Sequence, residues 1–172
     1  VNYVLIVSTN AGLWGYNMGD TVMFTSLSPY RIVVTGRIKH FISAFGEHVI
    51  AKEVEEALAQ AVSKAGGEVS EFTVAPQVNP APGELPYHEW FIEFEKLPED
   101  IESFANTLDQ GLQAQNSYYK DLIEGKILQR LKITCVPKGT FVEYMKSQGK
   151  FGGQNKVQHL SNDRKIADNL KW

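Results

Sequence analysis

Residues 35–48 read Thr-Gly-Arg-Ile-Lys-His-Phe-Ile-Ser-Ala-Phe-Gly-Glu-His, and the pattern of the chain changes within this stretch. Before it, short apolar runs alternate with turn residues, which is typical of strands joined by tight turns. After it, apolar residues recur at helical spacing, and helical segments then alternate with strand segments. The stretch therefore marks the predicted domain boundary, with residues 1–36 on one side and residues 37–172 on the other.

The upstream part is predicted to be a short β-meander. Turn residues, among them Gly19-Asp20, separate apolar runs at Tyr3–Thr9, Thr21–Ser26 and Tyr30–Thr35. Three short strands make only a marginal sheet by themselves. The chain also begins without Met, inside an apolar run. We therefore expect residues 1–36 to be the end of a large N-terminal domain, most of which lies upstream.

The downstream part is predicted to be a compact α+β domain of order α-β-β-α-β-α with a mixed sheet of about three strands. Helices are expected over 51–65 and 99–115, strands over Val69–Ala75, Tyr87–Glu95 and Leu131–Val136, and a short helix with a capping box from Thr140 and Glu143. Apolar and acidic side chains alternate along Tyr87–Glu95, so this strand is expected to be half-buried.

The composition excludes several classes of function. A net charge of −3 and the lack of a basic run argue against nucleic-acid binding. No segment has the pattern of a membrane span or a signal peptide, and the composition fits a cytoplasmic protein. Cys135 is the single cysteine, which excludes an intramolecular disulfide, and it is expected to be a buried, inert thiol. The histidines show no ligand spacing, so no metal site is predicted.

Three residues carry the charges that nucleotide chemistry needs. The carboxylate of Asp20 can accept hydrogen bonds from both hydroxyls of a ribose. Arg37 offers a planar, permanently charged fork for ribose or phosphate oxygens. Lys156 lies in a glycine-rich segment near residues 149–159, where an ammonium can neutralise charge developing between a carboxylate and a phosphate. Taken singly, these residues also fit a turn aspartate, a solvated pair of Arg37 with Lys39, and a polar tail.

The sequence around Arg37 resembles the hinge of adenylate-forming enzymes. In that superfamily, Gly-Arg-x-(Asp or Lys) precedes a few apolar residues and then Gly-Glu-Asn. The chain has Thr35-Gly-Arg-Ile-Lys39 followed by Phe41-Ile-Ser-Ala-Phe-Gly-Glu-His48. Glu47 in this motif could act as a base, but we favour a structural role next to the helix that follows.

Further motifs resemble one branch, the auxin-responsive acyl acid–amido synthetases known from plant hormone conjugation and their bacterial relatives. The matching pieces are Gly12-Leu-Trp-Gly-Tyr-Asn-Met-Gly-Asp20, Gly139-Thr-Phe141 and Gln154-Asn-Lys156. The chain departs from the branch at Asn17-Met18, where an Arg-Val pair is usual, and at Gln158-His159, where Pro-Arg is usual. His48 takes the place of the asparagine found across the superfamily.

The resemblance implies a two-step ligase that uses ATP and Mg²⁺. A carboxylic acid would be adenylated, and an amine such as an amino acid would then take the acyl group and release AMP. Asp20 would hold the ribose, Arg37 would support it, and Lys156 would be the catalytic lysine. The C-terminal domain would act as a lid that swings about Lys39.

Most of the ATP, Mg²⁺ and acyl-acid site would lie in the upstream N-terminal domain, which would be this chain's partner. Residues 1–172 alone are therefore expected to be inactive. Two alternatives remain open: an acid–thiol ligase that makes CoA thioesters, and a noncatalytic module that binds a nucleotide or a partner protein. The sequence names neither the acyl acid nor the amine.

Overall fold

The computed structural model describes residues 2–37, 41–150 and 156–172, so the predicted hinge residue Lys39 lies outside the described residues. In chain order the elements are strands β1 (Tyr3–Val7), β2 (Tyr16–Leu27), β3 (Tyr30–Arg37), β4 (Phe41–Ile42) and β5 (Val49–Ile50), helix α1 (Ala51–Ala65), strands β6 (Glu68–Gln77) and β7 (Tyr87–Lys96), helices α2 (Ile101–Gln115) and α3 (Ser117–Glu124), strand β8 (Lys132–Val136), helix α4 (Thr140–Ser147) and a 3-10 turn (Ala167–Asn169).

The predicted fold class is confirmed. Strands β1, β2 and β3 form an antiparallel meander in that order. The second sheet has the order β6-β7-β8, with β7 antiparallel to β6 and parallel to β8. Because parallel neighbours need a crossover connection, α2 and α3 bridge the end of β7 and the start of β8. Strands β4 and β5 pair as a two-residue ladder just before α1.

Apolar spacing along α1 explains its place in the fold. Val54, Ala57, Leu58 and Ala61 recur at helical intervals and are the buried residues of this helix. This face packs against α2, whose N-terminus is capped by Asp100 through the backbone N–H groups of Glu102 and Ser103. The two helices cover one face of the β6-β7-β8 sheet and enclose the larger hydrophobic cluster.

The strand β7 is buried on both faces, so the prediction of a half-buried strand was wrong. Trp90 and Ile92 belong to the larger cluster, whereas Phe91 belongs to a smaller cluster on the opposite face. That second cluster is closed by Phe141 of α4 and by Leu170 near the end of the chain. The C-terminal residues therefore form the second layer of the domain.

Glu93 shows why an acidic residue is buried on that face. Its two carboxylate oxygens accept the backbone N–H groups of Gly139 (3.0 Å) and Phe141 (3.3 Å) at the N-terminus of α4. A carboxylate is favourable there because the first N–H groups of a helix have no partner within the helix. The predicted capping box from Thr140 and Glu143 was wrong, since Thr140 Oγ1 donates to the carbonyl of Pro137 instead.

Cys135 is exposed on β8, which corrects the prediction of a buried thiol. Partial desolvation still raises the pKa of Cys135 above its ordinary value. Because the thiolate is the reactive form, this shift lowers the reactive fraction of the thiol near neutral pH.

Apolar side chains of the β1-β2-β3 meander face solvent. Among the described residues of these three strands, Val22 is the only buried hydrophobic residue. Large side chains that stand exposed include Ile6, Phe24, Leu27, Ile32 and Val34. Neither hydrophobic cluster contains a described residue of the meander. None of the helices formed by the described residues has the length and apolarity that a membrane crossing requires.

Candidate functional site

The structure brings Asp20 and Arg37 together. Their Cα atoms are partners in the antiparallel ladder between β2 and β3, where Arg37 is the last residue of β3. Asp20 is half-buried. The sequence predicts a turn at Gly19-Asp20, but both residues lie inside β2, which begins at Tyr16.

Irregular pairing surrounds Asp20 on both sides of β2. Toward β1, the register jumps from Thr21 to Asn17, so Met18, Gly19 and Asp20 face a single residue of β1. Toward β3, the register shifts again just after Thr21. Bulges of this kind bend a strand and redirect its side chains, and they are common beside active sites.

Gly19 has a φ of 77°, in the left-handed region, and an added Cβ would meet no other atom within 4 Å. The bulge therefore needs glycine for its backbone conformation and not for space. Oδ1 of Asn17 accepts the backbone N–H of Gly19 at 2.8 Å. Asn17, where the resembling family has arginine, thus supports the bulge locally.

A hollow of about 530 Å³ opens beside Asp20. Thr35 and Gly36 of β3 line it together with Lys52 and Glu55 of α1. A carboxylate acceptor at the rim and a glycine without a side chain fit the approach of a ribose. Among the described residues, no cluster of three or more acidic, histidine or cysteine side chains is arranged for a metal ion, so Mg²⁺ is not assigned to this chain.

Lys156 lies in a different place from Asp20. Its side chain is exposed and lines a second hollow, of about 650 Å³, with Lys150 and with Lys165. The structure therefore places Asp20 beside Arg37 but does not bring Lys156 into the same hollow. Residues 151–155 of the predicted catalytic loop lie outside the described residues.

The segment that follows Lys156 is fixed to β6. The N–H of Val74 donates to the carbonyl of His159 (2.8 Å), and the N–H of Ser161 donates to the carbonyl of Val74 (3.1 Å). Oγ1 of Thr73 donates to the carbonyl of Gln158 (2.8 Å). Leu160 is fully buried in the larger cluster. These bonds add a short parallel bridge to the edge of the sheet.

The same segment also holds the residues just after the predicted hinge. Nδ2 of Asn162 donates to the carbonyl of Phe41 (2.9 Å), and Oδ1 of Asn162 accepts the N–H of Ser43 (2.7 Å). Asn162 thereby joins the segment after Lys156 to residues 41–43.

Glu47 of the hinge motif is buried and is hydrogen-bonded to His88 of β7. Its Oε1 lies 2.8 Å from Nε2 of His88, and its Oε2 accepts the N–H of Phe45 at 2.8 Å. Burial alone would raise the pKa of Glu47, but the hydrogen bond and charge of His88 and the backbone N–H groups outweigh it, so the pKa is lowered. This geometry supports the structural role favoured for Glu47.

The ring of His88 contacts a second buried pair, which consists of Tyr119 and Asp109. It stacks on the Tyr119 ring with 5.2 Å between centroids, and the Tyr119 hydroxyl donates to Oδ1 of Asp109 at 2.7 Å. Burial, followed by the charge and hydrogen bond of Asp109, raises the pKa of Tyr119 well above its ordinary value, so the hydroxyl stays a donor. No local pattern indicates this network, because Glu47, His88 and the Asp109–Tyr119 pair lie far from one another along the chain.

His48 has a positive φ of 45°. Asparagine tolerates this conformation best and histidine is among the few other residues enriched in it, which explains how histidine can stand where the resembling superfamily has asparagine. The carbonyl of His48 accepts Nδ2 of Asn116 (3.4 Å), which also donates to Glu53 (3.0 Å). The turn before α1 is therefore tied to the start of α3.

Comparisons with known proteins agree with this architecture. The model of the GH3 family C-terminal domain matches residues 52–165, and the model of the GH3 family central domain matches residues 1–37. Among solved structures, one described as "GH3.15 acyl acid amido synthetase" superposes with a TM-score of 0.74 at 20% identity. It covers 98% of this chain and 33% of its own.

A second solved structure, "AtGH3.15 acyl acid amido synthetase in complex with 2,4-DB", superposes with a TM-score of 0.72 at 20% identity. It covers 98% of this chain and 32% of its own, so the chain spans about a third of the length of the structures it matches. The comparison with curated protein sequences found no match. Because the C-terminal domain model matches most of the chain, the chain belongs to the GH3 family, of which it forms a C-terminal region with part of the central domain.

Proposed function

We propose that this chain is the C-terminal region of an ATP-dependent acyl acid–amido synthetase, which adenylates a carboxylic acid and transfers the acyl group to an amine. The observation that carries the proposal is the pairing of Asp20 with Arg37 at a bulged point of β2. Membership of the GH3 family supports it. The cytoplasmic location expected from the sequence remains part of the proposal.

In the first step, a carboxylate oxygen of the acid attacks the α-phosphorus of ATP and pyrophosphate leaves. Asp20 would accept hydrogen bonds from the ribose hydroxyls, and Arg37 would support the same sugar. The ammonium of Lys156 would offset the negative charge between the carboxylate and the α-phosphate. Donors held where charge develops are most effective in such steps.

In the second step, the amine nitrogen attacks the acyl carbon, AMP leaves and the amine releases a proton to solvent. Residues 37–172 would act as a lid that turns about Lys39 between the two steps. In the present structure Lys156 and Asp20 line separate hollows, which is compatible with a lid that must move to bring Lys156 to the nucleotide.

The residues for Mg²⁺ and for the acyl acid would come from an N-terminal domain. The exposed apolar side chains of the β1-β2-β3 meander support this division, because the apolar face of a sheet is normally buried against another layer. Residues 1–36 would complete that domain, and residues 1–172 alone would have no ligase activity.

The test is acid-dependent exchange of pyrophosphate into ATP by the full-length protein, with a panel of carboxylic acids. Lys156→Ala should lower the exchange rate by on the order of 100- to 1000-fold, the usual effect of removing one such donor. Lys120→Ala is the matched control, since Lys120 is an exposed lysine of α3 paired with Glu124. Exchange unchanged in Lys156→Ala would discard the role of this lysine.

The acceptor is tested in the same preparation. Release of AMP that depends on amino acids and not on CoA supports the amide branch, and release with CoA alone would make the protein an acid–thiol ligase. If no acid in the panel supports pyrophosphate exchange, the result would favour a noncatalytic module that binds a nucleotide or a partner.

A further inference from the structure

His159 stands between two carboxylates from different elements. Its Nε2 lies 3.0 Å from Oε1 of Glu71 on β6, and its Nδ1 lies 3.2 Å from Oε1 of Glu55 on α1. The ring stacks on Phe72 with 4.2 Å between centroids. A neutral imidazole has one N–H and would meet one carboxylate with a bare nitrogen, so the geometry fits the imidazolium.

Among the described residues that line the space beside the ring, none is a lysine or an arginine. A hollow of about 440 Å³ lies beside it, and the titratable groups among its lining residues are Glu55, Glu71 and His159. The rest of the lining is mainly apolar, including Leu58 and Val62. Lys52, one turn before Glu55 on α1, pairs with Glu56 at 3.6 Å. Lys156 lines the other hollow.

This contact is placed where it can fix Lys156. His159 follows Lys156 by three residues, and its own carbonyl accepts the N–H of Val74 on β6. Val157, between them, is buried in the smaller cluster. Glu55 also borders the hollow beside Asp20, so α1 contacts both this hollow and the segment after Lys156.

We propose that His159 is a positioning residue for Lys156: its imidazolium, held between Glu55 and Glu71, keeps the segment after Lys156 docked on β6 and α1. The role in catalysis rests on the proposed function, whereas the docking itself does not.

Burial alone would lower the pKa of His159, but the hydrogen bonds and charges of Glu71 and then Glu55 outweigh it, so the pKa is raised. A raised histidine pKa means that the docking is strongest at pH values below its ordinary value and is lost as the pH rises through the raised value. The equilibrium constant for docking should fall about tenfold for each unit by which docking raises the pKa.

The docking is tested on the 172-residue chain by amide hydrogen exchange of Val74 and Ser161, whose N–H groups make the bonds between segment and strand. Protection, corrected for intrinsic rates, should fall between pH 6 and pH 9 in the wild type. It should be low at both pH values in His159→Gln and high at both in His159→Arg, which keeps a cation. The N–H of Ile92, in the centre of the sheet, is the internal reference.

The positioning role is tested by pyrophosphate exchange in the full-length protein. His159→Gln should lower kcat by on the order of 10- to 100-fold, the scale that a displacement of about 1 Å carries, with little change in KM for ATP. The wild-type kcat should fall at high pH, as the docking does. His159→Arg should restore kcat and should make kcat independent of pH in this range.

The outcomes separate the two proposals. The docking contact would be overturned if the amide protection of Val74 and Ser161 changed neither with pH nor in the His159→Gln variant. Normal kcat in His159→Gln with the docking lost would overturn the positioning role. Docking that follows pH as expected, in a protein that exchanges pyrophosphate with no acid, would support the contact and reject the proposed function.

Discussion

The carboxylate of Glu47 lies 2.8 Å from Nε2 of His88, and both side chains are almost completely shielded from solvent. Glu47 comes from the turn before α1 and His88 from β7, so one buried hydrogen-bonded pair joins this turn to the central strand of the β6-β7-β8 sheet. Buried pairs of this kind are costly to break because the buried group that remains loses its hydrogen-bond partner.

Glu47→Ala should therefore lower the free energy of unfolding at pH 7 by about 3–5 kcal/mol. Glu47→Gln keeps an acceptor for His88 and should cost less, about 1.5–3 kcal/mol, the usual range for a hydrogen bond to a charged group. Urea unfolding followed by circular dichroism measures both. Glu124→Gln, at an exposed carboxylate on α3, is the control and should have little effect. Equal stability of wild type and Glu47→Ala would contradict a stabilising pair.

The same pair predicts a pH dependence. Because the pKa of Glu47 is lowered in the folded state, its contribution is fully present above its ordinary value of 4.5 and is lost as the pH falls through the lowered value. The stability difference between wild type and Glu47→Gln should shrink as the pH is lowered from 7 to 3. A difference that stays constant over this range would show that Glu47 does not lose its charge there.

Gly19→Ala should destabilise the meander by about 1–2 kcal/mol, the cost of a left-handed backbone for a residue with a Cβ. Gly19→Asn should cost less because asparagine tolerates this conformation. Thermal unfolding of both variants measures the difference. Equal losses in the two variants would mean that a clash, and not the backbone conformation at φ 77°, sets the cost.

Asp20→Asn should raise KM for ATP in the full-length protein by roughly 10- to 100-fold, since hydrogen bonds to a charged group contribute about 1.5–3 kcal/mol. The kcat for exchange should change less, because the ribose is bound in ground state and transition state alike. Thr25→Ala, an exposed position of the same strand, is the control. An unchanged KM in Asp20→Asn would reject its role with the ribose.

Removal of residues 1–36 should leave residues 37–172 folded with an unchanged urea midpoint. Both hydrophobic clusters consist of described residues from Ile42 onward, so the deletion removes no buried core side chain from them. The measurement compares residues 37–172 with the whole chain. A clear loss of stability would argue against a domain boundary near Arg37.

The helices and most strands could be predicted because their signals are local. The apolar spacing along α1 and the alternation in β7 are visible within a single element. The burial of both faces of β7 was missed because it depends on Glu93 capping α4, a contact between residues 46 positions apart. His88 was missed for the same reason, since Glu47 is 41 positions away.

In the candidate site, too, features with a local sequence signal could be predicted and contacts between distant residues could not. Asp20 and Arg37 were predicted as site residues from motifs, and their pairing in the ladder follows from the meander topology that the turn residues predict. The bulge at Gly19 was taken for a turn, because glycine before aspartate is typical of both. The contacts of His159 depend on how the end of the chain folds back onto β6, which no local pattern indicates.

The segment after Lys156, which docks on β6, also affects how the protein associates with copies of itself. In the sheet order β6-β7-β8, strand β6 stands at an edge, and its unpaired backbone groups would be open to a strand from another molecule. The bridge between Val74 and Leu160 occupies part of that edge. A variant truncated before Lys156 would leave this edge bare and should associate more readily with other molecules, because the stretch after Lys156 covers part of the β6 edge.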